Sequence, residues 1–385
     1  MPKKLRLGMV GGGKGAFIGA VHRIAAQIDN EYELVGGAFS SDAQKSRESG
    51  EALGLPAARI YSSYPEMIQG EKRLPEEQRM QVISIVTPNH VHFEPVKLSL
   101  ENGFHVILDK PMTFSLQEAR DLQAVYEKHD ALFCLTHTYT GYPMVKEAKQ
   151  LIADGKIGAV RKVYVEYPQG WLTNFKEGTG DKQAAWRTDP GKSGIAGAMG
   201  DIGTHAFNLA EYVSGLELHQ LCANINIVVP GRKLDDDGDV LLRFSENASG
   251  ILFATQIAAG EENNVKIRVY GEKGGIEWQQ SDANSLQVKW FNKPTETYRA
   301  GGVYLSDLAK HNIRTPAGHP EGYLEAFANI YRNFALCVQA KISGQPPKPE
   351  WLDFPGMREG VRGMAFIEAV IESGKSEKKW LSFNV

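Results

Sequence analysis

A parallel, doubly wound α/β domain over residues 1–138, followed by an α+β domain with a large, mostly antiparallel open sheet over 139–385, is the fold class this chain predicts. Three observations carry it. In the first third, short apolar runs alternate with stretches of helical period. Several of those runs, "VISIV" among them, are apolar almost throughout, as strands covered on both faces are. Past about residue 140 the runs follow one another through short turns instead of helices. A chain of 385 residues is long enough for two separate cores.

Strands are expected at 5–11 ("LRLGMVG"), 32–40, 81–87, 105–110 and 131–138, with helices at 19–28, 42–54, about 92–103 and within 115–129. Strands alternating with helices make a parallel sheet with right-handed crossovers. A helix at 143–155 opens the second part, and a long alternating strand follows at 160–172. Further strands are expected at 220–229, 239–245, 249–259, 264–272 and 274–280, with "ENAS" and "GEKGG" as connections of hairpin length. Two late helices, about 321–341 and 357–374, are expected to pack on this second sheet.

Composition excludes several classes. A formal net charge of −3, with Lys and Arg scattered, favours neither nucleic acid nor an anionic membrane surface. No apolar run is long enough to span a bilayer. The basic start "MPKKLRLGMV" reads as the lead-in to a core strand rather than a signal peptide. Cys134, Cys222 and Cys337 are odd in number and widely spaced, as buried thiols of a reducing compartment are. The expectation is a soluble cytoplasmic protein without a metal centre.

Chemistry concentrates at strand ends. "GGGKGAFIG" (11–19) lies between the first strand and the first helix. A helix N-terminus offers free amides and partial positive charge to a pyrophosphate, and glycine lets the backbone come close. Gly11, Gly13 and Gly15 compete for the first positions of a G-x-G-x-x-G turn, and Gly19 comes three residues later than that spacing asks. Inside a strand-helix-strand unit the segment reads as a lengthened dinucleotide turn. Lys14, Gly15, Ala16, Phe17 and Ile18 then face the phosphates or the groove; a plain tight turn is the alternative. No Lys-Ser or Lys-Thr follows at the place a Walker-type loop needs. At the end of the second strand Ser40, Ser41 and Lys45 tolerate a 2′-phosphate, which leans the reading slightly to NADP over NAD unless Asp42 turns inward. "TPNHVH" (87–92) puts Thr87, Pro88, Asn89 and His92 along the same groove. His90 and His92 lack the further ligands of a metal pair.

"LDKP" (108–111) places Asp109 and Lys110 at the carboxyl end of a buried strand, where a charge either reaches a site or forms a surface salt bridge. In "GAMGDIGTHAFNLAEYV" (197–213), helical from about residue 200, Asp201 and His205 are four apart and share a face. They read as orienter and general acid/base, as half of a metal site, or as a buried structural pair. The segment 166–194 carries Gln169, Trp171, Trp186 and Arg187, rings and donors that suit a sugar, or else an irregular surface loop. His319, Glu321 and Tyr323 line the same cavity or simply start a helix. "LDDDGD" (234–239) lacks the alternating ligands and closing glutamate of an EF-hand and reads as a solvated turn.

The glycine turn, "TPNHVH", "LDKP" and "GDIGTH", in this order and spacing, resemble the glucose–fructose oxidoreductase / inositol dehydrogenase (Gfo/Idh/MocA) family over nearly the whole chain. The resemblance implies an N-terminal Rossmann domain that binds NAD or NADP. It also implies a C-terminal open sheet that supports a carbohydrate or polyol pocket and joins copies into a dimer or tetramer. The lysine of the family's E-K-P motif falls on Lys110, and the dyad of its D-x-G-x-H pattern on Asp201 and His205. His137 joins the substrate side, and Asp109 and Lys110 the cofactor side. Three departures stand out: about three extra residues in the glycine turn, Asp109 in place of glutamate, and Asn208 where many members carry a second aspartate.

The activity so implied is reversible oxidation of a secondary hydroxyl on a cyclic polyol or sugar, with hydride passing to or from the nicotinamide. His205 takes the hydroxyl proton, Asp201 orients it, and Lys110 steadies the developing alkoxide, with Lys110 and His205 able to exchange roles. The alternatives are a hydrolase or isomerase that uses the dinucleotide as an internal redox catalyst, or a cofactor-binding sensor without chemistry.

Overall fold

The computed structural model describes residues 4–385; Met1–Lys3, at the head of the basic start, lie outside the described residues. The elements run β1 (Leu5–Gly11), α1 (Phe17–Ile28), β2 (Tyr32–Ala38), α2 (Ala43–Ala52), α3 (Tyr64–Lys72), β3 (Val82–Val86), α4 (Phe93–Glu101), β4 (His105–Leu108), α5 (Leu116–Tyr126) and β5 (Phe133–Leu135). There follow α6 (Pro143–Ala153), β6 (Val160–Pro168), the short α7 (Lys182–Arg187) and α8 (Pro190–Ser193), and α9 (Thr204–Ser214). The strands β7 (Leu218–Asn226), β8 (Asp237–Phe244), β9 (Ser249–Thr255), β10 (Lys266–Gly271), β11 (Gly274–Gln279), β12 (Ser285–Trp290) and β13 (Glu296–Arg299) come next. The chain closes with α10 (Asp307–His311), α11 (Tyr323–Ile342), α12 (Met357–Gly374) and β14 (Leu381–Ser382). Two compact units result. One runs to Thr138 and takes in Tyr323–Val361; the other comprises Tyr139–Gly322 and Arg362–Val385.

In the first unit five strands pair in parallel in the order β2-β1-β3-β4-β5. The chain leaves β1 for β2 on one side and comes back to β3 on the other, so the carboxyl ends of β1 and β3 flank the point where such sheets receive ligands. Helix starts follow from local chemistry. Asp42, Ser63 and Ser115 accept the amide three residues on and cap α2, α3 and α5. At α1 the cap residue is Ala16, which has no side chain to offer, and the first turn carries no acid. A Cβ on Gly19 would lie 2.4 Å from the Gly12 Cα, so α1 meets the turn backbone to backbone.

The second unit holds a nine-stranded sheet in the order β13-β12-β11-β10-β6-β9-β8-β7-β14. It is antiparallel except where β6 meets β9. The helices α6 and α9 cover one face. On the other, Asp239, Leu241 and Arg243 of β8 are exposed.

Three expectations are corrected. Residues 323–361, read with the second domain, belong to the first unit, and α11 packs on α1 instead of the antiparallel sheet. Its stripe Phe327, Ile330, Tyr331, Phe334 and Val338 joins one core with Leu5, Leu7, Val21, Val82 and Ile107. An apolar stripe tells that a helix is covered, not by which sheet. The strand expected through residue 229 ends at Asn226, because the Asp236 carboxylate takes the amides of Val228 and Val229 at 2.8 and 2.9 Å. "LDDDGD" is therefore no solvated turn: Asp235 and Asp236 are buried.

Gly19→Ala forces the α1 backbone away from Gly12, at a cost of about 1–3 kcal/mol. The expected result is a lower thermal unfolding midpoint, read by circular dichroism, together with weaker dinucleotide binding. An unchanged midpoint would show that α1 moves freely.

Candidate active site

The glycine turn has a division of labour that its spacing hides. The amide of Gly13 bonds to the Phe39 carbonyl at 3.2 Å, that of Lys14 to Ser49 Oγ at 3.1 Å, and that of Ala16 to the Gly13 carbonyl at 3.0 Å. A Cβ on Gly13 would meet Phe39 O and Ser49 Oγ at 2.7 Å, so this glycine serves contact with the end of β2. The first-turn amides of α1, those of Phe17 and Ile18, stand at an uncapped N-terminus. The lengthened turn thus delivers a helix end open to an anion, and Phe17 at its tip is exposed. Thr87, at the end of β3 beside Gly11, has a buried Oγ1 with no partner among the described residues. An uncapped helix start and an orphaned hydroxyl beside it fit a phosphorylated dinucleotide. At the end of β2, Asp42 Oδ1 accepts the Lys45 amide at 2.9 Å and Ser40 Oγ accepts the Asp42 amide at 3.1 Å, so Asp42 is committed to α2.

Asp109 and Lys110 follow β4, joined to Pro111 by a cis peptide. The Asp109 carboxylate accepts the Lys110 amide at 2.9 Å and Thr136 Oγ1 at 3.2 Å, and lies 3.7 Å from His22 Nε2. Burial alone raises its pKa; the His22 contact and the charge of Lys110 outweigh it and hold the group at about 2. His22 is fully buried, and its Nδ1 meets the Tyr331 hydroxyl at 2.7 Å. His137 is buried near Lys110; burial, then the lysine charge, pushes it down to about 3. His92 departs from its expected place along the groove. It is fully buried, with Nε2 2.7 Å from the Thr87 carbonyl and Nδ1 2.9 Å from the Pro111 carbonyl. The ring thus bridges the loops after β3 and β4; burial lowers its pKa, while Asp109 and the two carbonyls, which favour the doubly protonated ring, pull the other way. Pro88 and Asn89 sit on that first loop, Asn89 buried.

In the second unit a π-turn, Met199–Gly203, precedes α9, so Asp201 and His205 are not on one continuous α-helix as expected. The turn is set by Asp235, whose carboxylate accepts the amides of Gly197 and Met199 at 2.6 and 2.7 Å. Asp201 Oδ2 accepts Gln256 Nε2 at 2.9 Å and lies 3.5 Å from Arg187 Nε. The Arg187 guanidinium rests 4.3 Å from the centre of the Trp186 ring. His205 is buried edge-on to Tyr139, with ring centres 5.0 Å apart. Gln169 accepts from the Trp171 indole at 3.0 Å. The loop bearing Trp186 is anchored by Arg232, which bonds to Glu177 at 2.7 Å and Asp236 at 3.1 Å. His319 does not join this group. Glu321 gathers the amides of Arg314 and Thr315 at 2.5 and 2.9 Å, and the turn so closed leaves His319 exposed. Tyr139, Tyr167, Gln256 and Asn263 were missed; a glutamine just past the apolar alternation of β9 was the one available signal. Asn208 has a buried Oδ1 without a partner among the described residues. A recess of about 570 Å³ on the first unit, lined by Lys4, Arg23, Tyr32 and Glu33, contains none of these residues.

Residues 5–161 match an oxidoreductase family with an NAD-binding Rossmann fold, and residues 145–277 match the GFO/IDH/MocA C-terminal domain. Fold and site thus define a two-domain, NAD-binding oxidoreductase. The oxidoreductase YfiI of Bacillus subtilis is 33% identical over 99% of this chain and 97% of its own. The crystal structure of an oxidoreductase from Sinorhizobium meliloti is 46% identical, with a TM-score of 0.89 over 98% of this chain and 99% of that one. An inositol dehydrogenase homolog from Azotobacter vinelandii, complexed with NADH and myo-inositol, is 31% identical, with a TM-score of 0.91 over 100% and 98%. The chain belongs to the Gfo/Idh/MocA family.

His137 titrates at about 3 in the folded chain against 6.5 for the free side chain. Between those values the unfolded chain binds the extra proton, so stability falls as pH drops from 6.5 and stops falling below about 3. Asp109, depressed from 3.8 to about 2, acts in a lower window, its stabilisation lost as pH falls through about 2. His137→Asn is expected to flatten the pH dependence of urea unfolding between pH 7 and pH 5; an unchanged slope would contradict the buried neutral ring. Arg232→Met leaves Asp236 buried without its cation and costs about 3 kcal/mol. Adding Asp236→Asn recovers part of that loss, measured as the same denaturation midpoint.

Proposed function

We propose that this protein reversibly oxidises a secondary hydroxyl of a cyclic polyol or sugar with NAD or NADP. The carrying observation is the second unit's arrangement: a buried imidazole, His205, and a carboxylate, Asp201, follow one another through a π-turn beside Trp171, Trp186 and Gln169. Rings cover the C–H faces of a sugar, and the amides and carboxylate take its hydroxyls. The relative complexed with myo-inositol supports the substrate class. Bound at the α1 N-terminus, the dinucleotide supplies the acceptor or donor of the hydride. His205 takes the hydroxyl proton, and Asp201 orients the ring and steadies its charge. Lys110, carried on the loop after β4, donates to the same oxygen and stabilises the alkoxide as it forms. The commitment of Asp42 to capping α2 leaves Ser40, Ser41 and Lys45 for the far ribose, which supports the lean to NADP. The exposed residues of β8 support association of copies through the sheet face, read by light scattering.

A panel of cyclic polyols and sugars, myo-inositol first, with NAD and with NADP, reports turnover through the absorbance of reduced nicotinamide. Lys110→Ala and His205→Ala are each expected to lower kcat by roughly 10²–10⁴-fold. Dinucleotide affinity of His205→Ala, measured by calorimetry, should stay within about twofold. Near wild-type turnover in either variant overturns the assignment.

A further inference from the structure

Asp201 is held by a chain of hydrogen bonds with a fixed direction. Its Oδ2 accepts from Gln256 Nε2 at 2.9 Å, and the same nitrogen donates to Gln169 Oε1 at 3.3 Å. Gln169 Oε1 also accepts the Trp171 indole N–H at 3.0 Å. An indole nitrogen can only donate, so it fixes which end of the Gln169 amide is oxygen. The opposite end, Gln169 Nε2, then donates to Asn263 Oδ1, which also takes the Tyr167 hydroxyl at 2.7 Å. With Gln169 so set, Gln256 turns its NH₂ to both neighbours and spends both hydrogens. Turned over, it would set oxygen against the Gln169 oxygen and the Asp201 carboxylate together. Gln256 is 3% exposed, and its backbone amide bonds to the Asp236 carbonyl at 2.9 Å, so the side chain starts from a fixed point.

We propose that Gln256 is a positioning residue. Through Trp171, Gln169 and Gln256, the aromatic wall and the acid of the dyad form one hydrogen-bonded unit, in which Gln256 aims Asp201 Oδ2 and keeps it an acceptor. The proposal rests on the assignment of Asp201 and His205 above. The charged or titratable groups on this unit that face Asp201 include Arg187 from α7, half-buried at 3.5 Å, and Tyr139, with His205 four residues on in α9. The bond from Gln256, at 2.9 Å, is both short and directional.

Gln256→Met keeps length and removes the donors; Gln256→Glu sets a second carboxylate against Asp201; Trp171→Phe removes the indole N–H two links away. With myo-inositol, or the panel polyol that turns over fastest, Gln256→Met is expected to lower kcat about tenfold with KM within about twofold. Gln256→Glu is expected to move the acid limb of kcat up by about one pH unit or more, because two carboxylates so close share a proton. Trp171→Phe moves the same limb less. A merely structural glutamine would lower the melting temperature of its variants and leave the limb in place, which overturns the proposal. A second readout needs no turnover. Carboxyl-carbon NMR of aspartate-labelled protein, with Asp201 identified by its loss in Asp201→Asn, is expected to show Asp201 titrating higher in Gln256→Met and Gln256→Glu. Equal titration in both variants and wild type overturns the proposal even if no polyol is oxidised. Wild-type silence on every polyol overturns the dehydrogenase reading instead.

Discussion

Asp235 must be paired where it is buried, and its pairing sets the start of the helix that matters most. At 5% exposure its carboxylate takes the amides of Gly197 and Met199, and its carbonyl takes that of Ala198 at 2.8 Å. Burial raises its pKa, and those amides pull the other way. Three successive amides bound to one residue cannot slide. The π-turn and α9 follow in a fixed phase, and with them the positions of Asp201 and His205. Asp236, the next residue, ends β7 and holds Arg232, which reaches Glu177 and the Asn174 carbonyl at the head of the loop to Trp186 and Arg187. One acidic dipeptide thus places both the dyad and the loop beside it.

The first unit obeys the same rule with a different partner. Asp109 stays charged in the interior because His22, Thr136 and the Lys110 amide meet it. His22 in turn needs the Tyr331 hydroxyl, and Tyr331 also bonds to Ser84 at 2.8 Å and offers its carbonyl to Tyr32 at 2.8 Å. A polar thread in the core therefore calls for a helix from some 300 residues further along the chain, as the His22–Tyr331 separation of 309 shows. The aromatic stripe of α11 supplies the apolar burial around that thread.

Much of the fold was legible. Helical and strand periods place β1, α1, β3, α4 and α6 close to their observed bounds, since burial on one face or two leaves a period that no neighbour can change. The weakly patterned β13 and the short α7 and α8 were not legible, because few of their residues are buried. Within the candidate site, Lys110, Asp201, His205 and the glycine turn showed themselves as charged or small residues at element ends. His92 and His319 looked similar in sequence and differ in three dimensions, one stapled inside, the other turned out.

By itself the sequence determined the two sheet types, the glycine turn and the polar residues at strand ends, because each of these is a local consequence of residue size, backbone freedom and period. Tertiary structure alone decided which sheet α11 covers, which amides of residues 12–18 stay open, that Asp201 sits in a π-turn ahead of the helix bearing His205, and that Gln256 meets Asp201. Each of those depends on a hydrogen-bond partner distant in sequence. A buried polar group is satisfied by whatever the fold brings to it, and no local pattern records that.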